Sequence, residues 1–487
     1  MSLVGPLLAH ARTTPDALAL IEGDRTIDYR ELAILVRRTA AHLARLGTQR
    51  GDRIGICLRD TAVHVVAFLA IVYLGAVAVP LDWRARPAEN RRTTQGLGVR
   101  LILAEPGGQL EADAPVVAVD ETWDRKVAVA DPREAPAAEW QDPFLIAASS
   151  GSSGAPKLTL LTHLQFFFRL VASLEVMGLS GRHRYLGTLP LYYSGGRTRC
   201  LAHLMRGDCV VLYPSLFRPS EYIEEVDRHG ITACYVVPSM VRQLLSVADA
   251  KPVLPNLALL FCSGAPLHAD EKRDAARRLT PRFHEEYGAA EIGCLTVLRP
   301  SDLAQRAESV GQPHSLVEIE VTDDQGRALA AGDAGNIRFR GPALGVPIAA
   351  DASVTTGAEL RERWHTPGEI GRIDELGYLF IHGRTSDVIM RGGAKIYPVE
   401  VEAVLQEHPE VVEAAVIGSR ATSNDEEVMA FVATRGPVRA GELVAHCRAR
   451  LSPHKVPRII RVLPRLPKTT SGKIDKTALA TMSADEV

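Results

Sequence analysis

The sequence predicts a mixed α/β fold, and two changes of pattern along the chain support this. Through about the first 300 residues, helical patterns alternate with short apolar strand patterns, as is typical of crossover connections on a largely parallel sheet. From Leu316 onward, the segments VEIEVTD and GNIRFRG alternate with turn-rich stretches, which indicates short antiparallel strands. The C-terminal part then returns to a mixture of helices and strands. We therefore expect a parallel α/β region, a small antiparallel β-subdomain and a final α+β unit.

The individual elements are predicted from the spacing of apolar residues. Helices are predicted over residues 29–46, 61–74, 220–229, 399–405 and 442–450, with one more beginning at Ser239. Strands are predicted over residues 53–57, 76–81, 101–104, 116–119, 186–189, 209–212, 233–237, 257–262, 411–417 and 427–433.

One apolar stretch has the length of a membrane span. Residues 62–81 read AVHVVAFLAIVYLGAVAVPL, and about 20 apolar residues suffice to cross a bilayer. His64 lies inside the stretch, Gly75 interrupts it and Pro80 ends it. These features favour a buried helix followed by a buried strand, with no membrane span. No basic leader precedes the short apolar run at the N-terminus, so no secretion signal is predicted.

Composition and charge narrow the class of protein. With 46% hydrophobic and 23% charged residues, the 487-residue chain resembles ordinary globular proteins. The formal net charge of −2 gives no general attraction to nucleic acid, so no nucleic-acid partner is expected. The seven cysteines are scattered and form no CxxC pair. This pattern predicts a reduced, cytoplasmic protein and argues against a metal site or a catalytic thiol.

A small-residue loop after an apolar strand is the clearest binding motif. The strand FLIAA is followed by six small residues, Ser149 to Gly154, which include Ser150, Gly151, Ser152 and Ser153, and then by Ala-Pro and Lys157. Glycines allow close backbone approach, and successive N–H groups in such turns form a concavity for anions. The serine hydroxyls add donors and Lys157 adds a cation. The motif is not the GK[ST] phosphate loop, and by composition alone it could also be a flexible linker.

This loop resembles the phosphate-binding signature of the superfamily of acyl-CoA synthetases, nonribosomal peptide adenylation domains and luciferases. Further segments resemble that family in the same order along the whole chain. They are AIVYLGAVAVP from Ala70, SGAPL from Ser263, EYGAAE from Glu286, WHTPGEIG from Trp364, GRTSD from Gly383, RGGAKIYP from Arg391 and PKTTSGKID from Pro467. The resemblance implies a large N-terminal domain of stacked α/β sheets with a small antiparallel β-subdomain, residues 1–385. It also implies a small, mobile α+β C-terminal domain, residues 386–487.

The resemblance implies roles for matched residues of the N-terminal domain. Gly264 and Ala265 would hold adenine, with Tyr287 stacking near it and Gly288 beside it. Glu291 would reach Mg²⁺, which suits a hard cation that prefers carboxylate oxygens. Glu369 and Arg384 would contact the ribose.

Other matched residues would act at and after the domain boundary. Ser386 would be the hinge, and Gly392 and Gly393 would line the tunnel for a thiol. Lys473 would neutralise charge that builds up in the adenylation step.

The reaction implied has two steps and requires ATP, Mg²⁺ and coenzyme A in addition to the acid. An acid carboxylate attacks the α-phosphate of ATP with Mg²⁺ present, which gives an acyl-AMP and pyrophosphate. After rotation of the C-terminal domain, the thiol of coenzyme A takes the acyl group and AMP leaves. Lys473, Lys157 and Glu291 would be the catalytic residues.

Several positions depart from the family pattern. Leu158 follows Lys157 where glycine is usual, and Ala290 replaces threonine beside Glu291. Glu369 replaces aspartate, Ser386 replaces the usual aspartate or lysine of the hinge, and Asn336 replaces a frequent glutamate. Lys157, Glu291, Arg384 and Lys473 are all retained, which favours an active enzyme from an unusual branch.

The segment that would gate the acid is also unusual. Tyr192, Tyr193, Ser194 and Gly195 stand here, with Tyr193 where many acyl- and aryl-CoA synthetases carry histidine. Two tyrosines and adjacent glycines suit a flat aryl acid with a polar edge, although both rings could instead pack in the core. The Phe-Asp pair typical of amino-acid adenylation is absent.

Three functions remain open from the sequence. The first is an AMP-forming acid–CoA ligase for a small acid. The second is an adenylating enzyme whose acceptor is an amine or the thiol of a separate carrier protein, or which activates an inorganic oxyacid such as nitrite. The third is a nucleotide-binding protein that has lost catalysis.

Overall fold

A computed structural model gives the structure of the chain. It describes residues 3–108, 110–132, 134, 138–149, 157–213, 216–348, 363–391, 394–419, 426–468 and 474–484. Two compact units emerge. Unit 1 comprises residues 1–305, 313–318 and 340–363, and unit 2 comprises residues 306–312, 319–339 and 364–487. The predicted boundary between residues 385 and 386 stays a prediction.

The α-helices alternate with strands through most of the chain. They are α1 (Val4–Thr13), α2 (Tyr29–Arg45), α3 (Ala62–Tyr73), α4 (Pro87–Thr94), α5 (Glu121–Ala128), α6 (His163–Met177), α7 (Ser194–Arg206), α8 (Pro219–Arg228), α9 (Pro238–Val247), α10 (Ala269–Arg278), α11 (Leu303–Arg306), α12 (Pro398–Gln406), α13 (Ala440–Arg448) and α14 (Lys476–Ala484). Short 3₁₀ helices span Pro300–Asp302, Thr385–Asp387 and Pro453–Lys455.

The strands of unit 1 come first in the chain. They are β1 (Leu18–Glu22), β2 (Arg25–Asp28), β3 (Arg53–Cys57), β4 (Val77–Pro80), β5 (Val99–Ala104), β6 (Val116–Ala118), β7 (Pro143–Ser149), β8 (Lys157–Thr162), β9 (Arg184–Gly187), β10 (Cys209–Leu212), β11 (Ala233–Val236), β12 (Leu259–Ser263), β13 (Phe283–Ala289) and β14 (Gly293–Leu298).

The remaining strands lie at the division between the units or beyond it. They are β15 (Gln312–Pro313), β16 (Glu318–Thr322), β17 (Gly335–Arg340), β18 (Val346–Pro347), β19 (Glu369–Ile373), β20 (Leu379–Arg384), β21 (Ile389–Arg391), β22 (Ala394–Ile396), β23 (Val411–Ser419), β24 (Glu427–Thr434) and β25 (Ile459–Leu463).

Unit 1 contains two large sheets. From β14 to its opposite edge, the first has the order β14-β13-β12-β11-β9-β10-β1-β2, and the second has the order β18-β8-β7-β4-β3-β5-β6. The central pairs of both sheets are parallel, whereas β13–β14, β1–β2 and β7–β8 are antiparallel. The predicted crossover architecture of this region is therefore confirmed.

The stretch over residues 62–81 folds as a buried helix and a buried strand. Thr61 begins α3 by accepting a hydrogen bond from the His64 backbone amide over 3.4 Å. The residues of α3 from Val65 to Val72 are buried, as are all four residues of β4. In the part of the chain that the structure describes, no helix has both the length and the apolar character needed to cross a bilayer.

Unit 2 contains the predicted antiparallel strands and the C-terminal elements. The sheet β16-β17-β19-β20 includes both segments that the sequence assigned to short strands. The hairpin β21–β22 and the sheet β23-β24-β25 follow, with β24 and β25 parallel. The predicted mixed α/β fold class is confirmed.

Some elements differ from the sequence prediction. Strand β9 begins at Arg184 and ends at Gly187, two residues earlier than the apolar run indicated. Helix α7 was not predicted, because Gly195, Gly196, Arg197 and Arg199 break the expected alternation of apolar and polar residues. In the structure both of these arginines are buried.

All seven cysteines are buried, and none forms a disulfide bond. Burial raises the thiol pKa of each, to about 11 for Cys57, Cys209 and Cys447 and to about 12 for Cys200, Cys234 and Cys294, while that of Cys262 also rises. Burial therefore keeps these thiols protonated near neutral pH.

Candidate active site

Residues predicted to bind adenine and the acid lie at one edge of the first sheet of unit 1. Strands β9, β11, β12 and β13 are parallel neighbours, so their carboxyl ends share an edge. Tyr193 follows β9, Gly264 follows β12, and Tyr287 lies near the end of β13. Because ligands of open α/β sheets bind outside the carboxyl ends of the strands, this edge is the candidate site.

Two glycines of the predicted adenine site are required by the backbone. Gly264 has φ of +100°, a conformation that a side chain would strain. Gly288 lies at a bulge in the β13–β14 pairing, where a Cβ atom would overlap the carbonyl oxygen of Gly293. Ala265 and Tyr287 are both half-buried. The geometry thus suits a ligand that lies close to the backbone.

Glu291, the predicted magnesium ligand, is held by its backbone. Its carbonyl oxygen accepts hydrogen bonds from Nη2 of Arg169 and, over 2.8 Å, from the amide of Gly345. The Nε atom of Arg169 donates to the carbonyl of Ala343 over 3.3 Å. Arg169 is buried, and burial lowers the pKa of its guanidinium to about 9. The sequence motifs did not single out Arg169; its only signal was an arginine within an apolar helical run.

The donor set around Glu291 fits a magnesium ion that arrives with a nucleotide. Among the described residues, no group of three or more His, Cys, Asp or Glu side chains could hold a metal ion. Mg²⁺ usually binds through one or two carboxylates, substrate phosphates and water. The carboxylate of Glu291, on a backbone that Arg169 and Gly345 hold, would therefore supply the protein's share of that coordination.

Lys157 is the first residue of β8 and is paired in register with Ser149 of β7. Its side chain is exposed. Strand β8 also pairs with β18, which follows the segment that bonds to Glu291. The predicted phosphate-loop residues Ser150, Gly151, Ser152, Ser153 and Gly154 lie outside the described residues.

The two tyrosines of the gating segment have different surroundings. The Tyr192 hydroxyl accepts a hydrogen bond from Nη2 of Arg84 over 2.7 Å, and burial raises its pKa to about 12. Tyr193 is 43% exposed, and its hydroxyl lies 3.8 Å from where a Cβ atom on Gly264 would stand. Tyr193 therefore reaches the predicted adenine loop, whereas Tyr192 is held by Arg84.

The glycines of this segment permit the close turn into α7. A Cβ atom on Gly196 would overlap the carbonyl oxygens of Leu189 and Pro190. At Gly195 it would stand 3.5 Å from Cε1 of both Tyr193 and Tyr235, which is an ordinary contact. Ser194 is the first residue of α7, and Arg197 donates to the carbonyl of Tyr192 over 2.8 Å.

The sequence motifs did not reveal a buried polar group on α7, the helix that begins at the gating segment. Arg199 forms an ion pair with Glu286, and its guanidinium lies 4.9 Å from the ring centres of Tyr235 and Phe261. The Tyr235 hydroxyl donates to Oε1 of Glu286 over 3.2 Å. We call Arg199, Glu286 and Tyr235 the Arg199 cluster. Glu286 begins the motif EYGAAE. A charged residue next to a run of buried strand residues was the one sign in the sequence that it could be buried.

Unit 2 carries the predicted ribose and hinge residues. Glu369 of β19 and Arg384 of β20 are direct partners in the antiparallel register, so their side chains extend from adjacent positions on neighbouring strands. The Ser386 hydroxyl donates to the Asp387 carboxylate over 2.9 Å within the 3₁₀ turn Thr385–Asp387. The predicted tunnel residues Gly392 and Gly393 and the predicted catalytic Lys473 lie outside the described residues.

Comparison with known proteins identifies the family of the chain. A model of the AMP-binding enzymes matches residues 7–346, and a model of the AMP-binding enzyme C-terminal domain matches residues 400–473. A 2-succinylbenzoate–CoA ligase of Bacillus subtilis is 29% identical over 97% of this chain and 96% of its own. A feruloyl-CoA synthase of an Amycolatopsis species is 30% identical over 96% of both chains.

Solved structures agree with this relationship. The o-succinylbenzoate CoA synthetase of Bacillus subtilis, in complex with its acyl-adenylate intermediate, matches with a TM-score of 0.86 and 27% identity over 97% of both chains. The same enzyme in complex with ATP and a magnesium ion matches with a TM-score of 0.84 and 28% identity over 96% of this chain and 98% of that one. As its sequence motifs predict, the chain belongs to the family of AMP-binding enzymes.

Proposed function

We propose that this protein uses ATP to convert a small aryl carboxylic acid into its acyl-AMP and then transfers the acyl group to coenzyme A. The observation that carries this proposal is the meeting of two segments at one sheet edge. The gating segment and the predicted adenine loop approach each other through the Tyr193 hydroxyl and Gly264. An acid held beside Tyr193 would have its carboxylate directed toward a nucleotide bound at that loop.

The family and the named relatives support the class of reaction. The matched relatives are CoA ligases or CoA synthases over nearly the full length of both chains. The prediction of an AMP-forming acid–thiol ligase is confirmed at this level. Two of their names, succinylbenzoate and ferulate, are those of aryl acids, and the tyrosines of the gating segment suit a flat ring.

In the adenylation step, a carboxylate oxygen of the acid attacks the α-phosphorus of ATP and the bond to pyrophosphate breaks. Lys157 would contact the phosphates and Glu291 would hold Mg²⁺, which supplies positive charge against the phosphate oxygens when it is bound. Arg169 positions the Glu291 backbone through its hydrogen bond to the carbonyl oxygen. Lys473 approaches the carboxylate and the α-phosphate and stabilises the charge of the transition state.

In the transfer step, the sulfur of coenzyme A attacks the acyl carbon and the bond to AMP breaks. We propose that residues 386–487 rotate about Ser386 between the two steps. Gly392 and Gly393 then line the passage for the thiol, while Glu369 and Arg384 hold the ribose. Such a change separates the two half-reactions and keeps water from the acyl-AMP.

The proposed partners are small molecules. The acid and coenzyme A are the substrates, and the seven buried thiols agree with a cytoplasmic protein. A separate carrier protein or an amine remains the alternative acceptor, and nitrite the alternative acid.

Mass spectrometry of reactions with Mg-ATP, a panel of aryl and aliphatic acids, and coenzyme A would test the proposal. We expect AMP, pyrophosphate and a CoA thioester with an aryl acid, and no acid-dependent ATP–pyrophosphate exchange in Lys473→Ala. Exchange without thioester formation would overturn coenzyme A as the acceptor and direct the search to carrier thiols and amines. Absence of exchange with every acid would overturn the proposal as a whole.

A further inference from the structure

The Arg199 cluster places two opposite charges in the interior of unit 1. The side chain of Arg199 is 3% exposed and that of Glu286 is 8% exposed. Arg199 leaves α7 toward the sheet, where Tyr235 of β11, Phe261 of β12 and Glu286 of β13 present their side chains. The cluster thus connects the helix that begins at the gating segment with three strands of the candidate site.

Stability alone is a weak reason for such a pair. Removing two charges from water costs several kcal/mol per ion, and well-packed apolar residues of similar volume often serve a fold equally well. The pair is also incompletely satisfied. Nη1 of Arg199 is buried and has no hydrogen-bond partner among the described residues. A buried donor without a partner carries a cost that a ligand acceptor can remove.

The cluster is connected to the predicted acid-binding residues through Gly195 and Tyr235. A Cβ atom placed on Gly195 would stand 3.5 Å from Cε1 of Tyr193 and 3.5 Å from Cε1 of Tyr235. Gly195 is therefore packed between the exposed ring of Tyr193 and the buried ring of Tyr235. From Tyr235 the chain of contacts continues through its hydroxyl to Glu286 and from there to Arg199. The contacts therefore connect the predicted adenine loop at Gly264 with Glu286 and Arg199 through Tyr193, Gly195 and Tyr235.

We propose that the Arg199 cluster recognises a neutral hydrogen-bonding substituent, such as a hydroxyl, on the ring of the acid. This inference rests on the proposed function and names its substrate class. Arg199 supplies the donor and Glu286 the acceptor, so one hydroxyl can bond to both. Because the pair carries no net charge, a second carboxylate would face Glu286 unbalanced, and an ammonium would face Arg199. An unsubstituted ring would leave the free donor of Arg199 without a partner.

The test is direct binding of substituted benzoates by calorimetry, which needs no turnover. The probes are benzoate, 3- and 4-hydroxybenzoate, and the corresponding dicarboxylates and aminomethyl acids. We expect at least one hydroxybenzoate to bind about tenfold or more tightly than benzoate, since a hydrogen bond to a charged group in a dry site commonly contributes that much. The dicarboxylates and aminomethyl acids should bind no better than benzoate.

Two double variants separate recognition from folding. Single replacements would leave one buried charge unpaired and endanger the fold, so Arg199→Met is combined with Glu286→Leu. We expect this variant to bind benzoate and hydroxybenzoate equally. The matched control is Lys272→Met with Glu285→Leu. Lys272 and Glu285 form a second buried ion pair at 2.5 Å, and Glu285 precedes Glu286 on β13 and so faces the opposite side of the sheet. The control should retain the preference for the hydroxyl.

The outcomes distinguish this inference from the proposed function. Equal binding of benzoate and both hydroxybenzoates by the native protein, or binding of none of them, overturns the inference. So does a preference that survives in the Arg199/Glu286 double variant. Formation of CoA thioesters is measured separately, so a hydroxyl preference without thioester supports the inference while it counts against coenzyme A as the acceptor.

Discussion

Replacing Arg169 with methionine should impair the magnesium-dependent step and leave the fold about as stable as before. Methionine retains an apolar stem for the buried site but donates no hydrogen bond. The carbonyl of Glu291 then loses Arg169 and keeps the amide of Gly345 at 2.8 Å. Glu291 would therefore be held on one side only.

The expected change in the free energy of unfolding is a small difference between two opposing contributions. A pKa of about 9 instead of 12.5 means that the site disfavours the Arg169 charge by roughly 4–5 kcal/mol, at about 1.4 kcal/mol per pH unit. The two hydrogen bonds from this charged donor contribute roughly 1.5–3 kcal/mol each. The sum of the bonds is similar to the cost of the charge, so we expect a net change within about 2 kcal/mol.

The catalytic effect should be larger, because displacement of a reacting group by about 1 Å can cost on the order of 100-fold in rate. We expect acid-dependent ATP–pyrophosphate exchange to fall about 10- to 100-fold and to need more Mg²⁺ for half-maximal rate. The control is Gln165→Met, since Gln165 donates over 2.8 Å to Leu344 in the same segment and not to Glu291. Native exchange and native Mg²⁺ dependence in the Arg169 variant would refute the reasoning, as would unfolding of the variant under conditions in which the control is folded.

Three further predictions concern the site and its support. Gly196→Ala should lower kcat/KM for the acid about tenfold or more, because the added Cβ would overlap two backbone carbonyls. Gly195→Ala should be tolerated, since its Cβ would make only ordinary contacts. Equal kinetics of the two variants would contradict this prediction. Tyr192→Phe removes the 2.7 Å bond to Arg84 and should weaken acid binding by roughly 1 kcal/mol, measured as KM, and an unchanged KM would show that Arg84 does not position the segment. Burial lowers the pKa of His64 to about 4 from 6.5, so the unfolded chain takes up a proton first and stability should fall as the pH drops from 6.5 to 4. His64→Gln should flatten that fall by up to about 1.4 kcal/mol per pH unit in urea titrations, and an identical slope would place the titration elsewhere.

The parts of the fold that the sequence predicts well are those in which neighbouring residues agree. Residues 62–81 were correctly divided into α3 and β4, because Gly75 and Pro80 mark the ends of a uniformly apolar run. Helix α7 is not predicted from the sequence, because Arg197 and Arg199 have charged side chains that usually lie at the surface. Only the tertiary structure shows that Arg197 donates hydrogen bonds to backbone carbonyls and that Arg199 forms an ion pair with Glu286.

The candidate site also contains some residues that the sequence identifies and others that only the structure reveals. Motifs alone identify Gly264 and Gly288 as site residues. The structure shows why each is glycine: Gly264 has a positive φ, and Gly288 lies against the carbonyl of Gly293. Arg169 and the Arg199 cluster depend on contacts between residues distant in the chain, such as Arg169 with Glu291. Spacing along a sequence carries no information on such contacts, because they are set by how helices pack on the sheet.

The burial of every cysteine matters for an enzyme that makes an activated acyl group. An acyl-AMP reacts with any thiolate that reaches it, and thiols held protonated in the interior cannot compete with the intended acceptor. The cysteines of the protein are thereby protected from acylation. The same property gives the native chain a silent background for site-specific labelling. A pair of cysteines introduced at exposed positions on either side of Ser386 would take maleimide dyes alone. Fluorescence energy transfer between the dyes during turnover would then test the proposed rotation about Ser386.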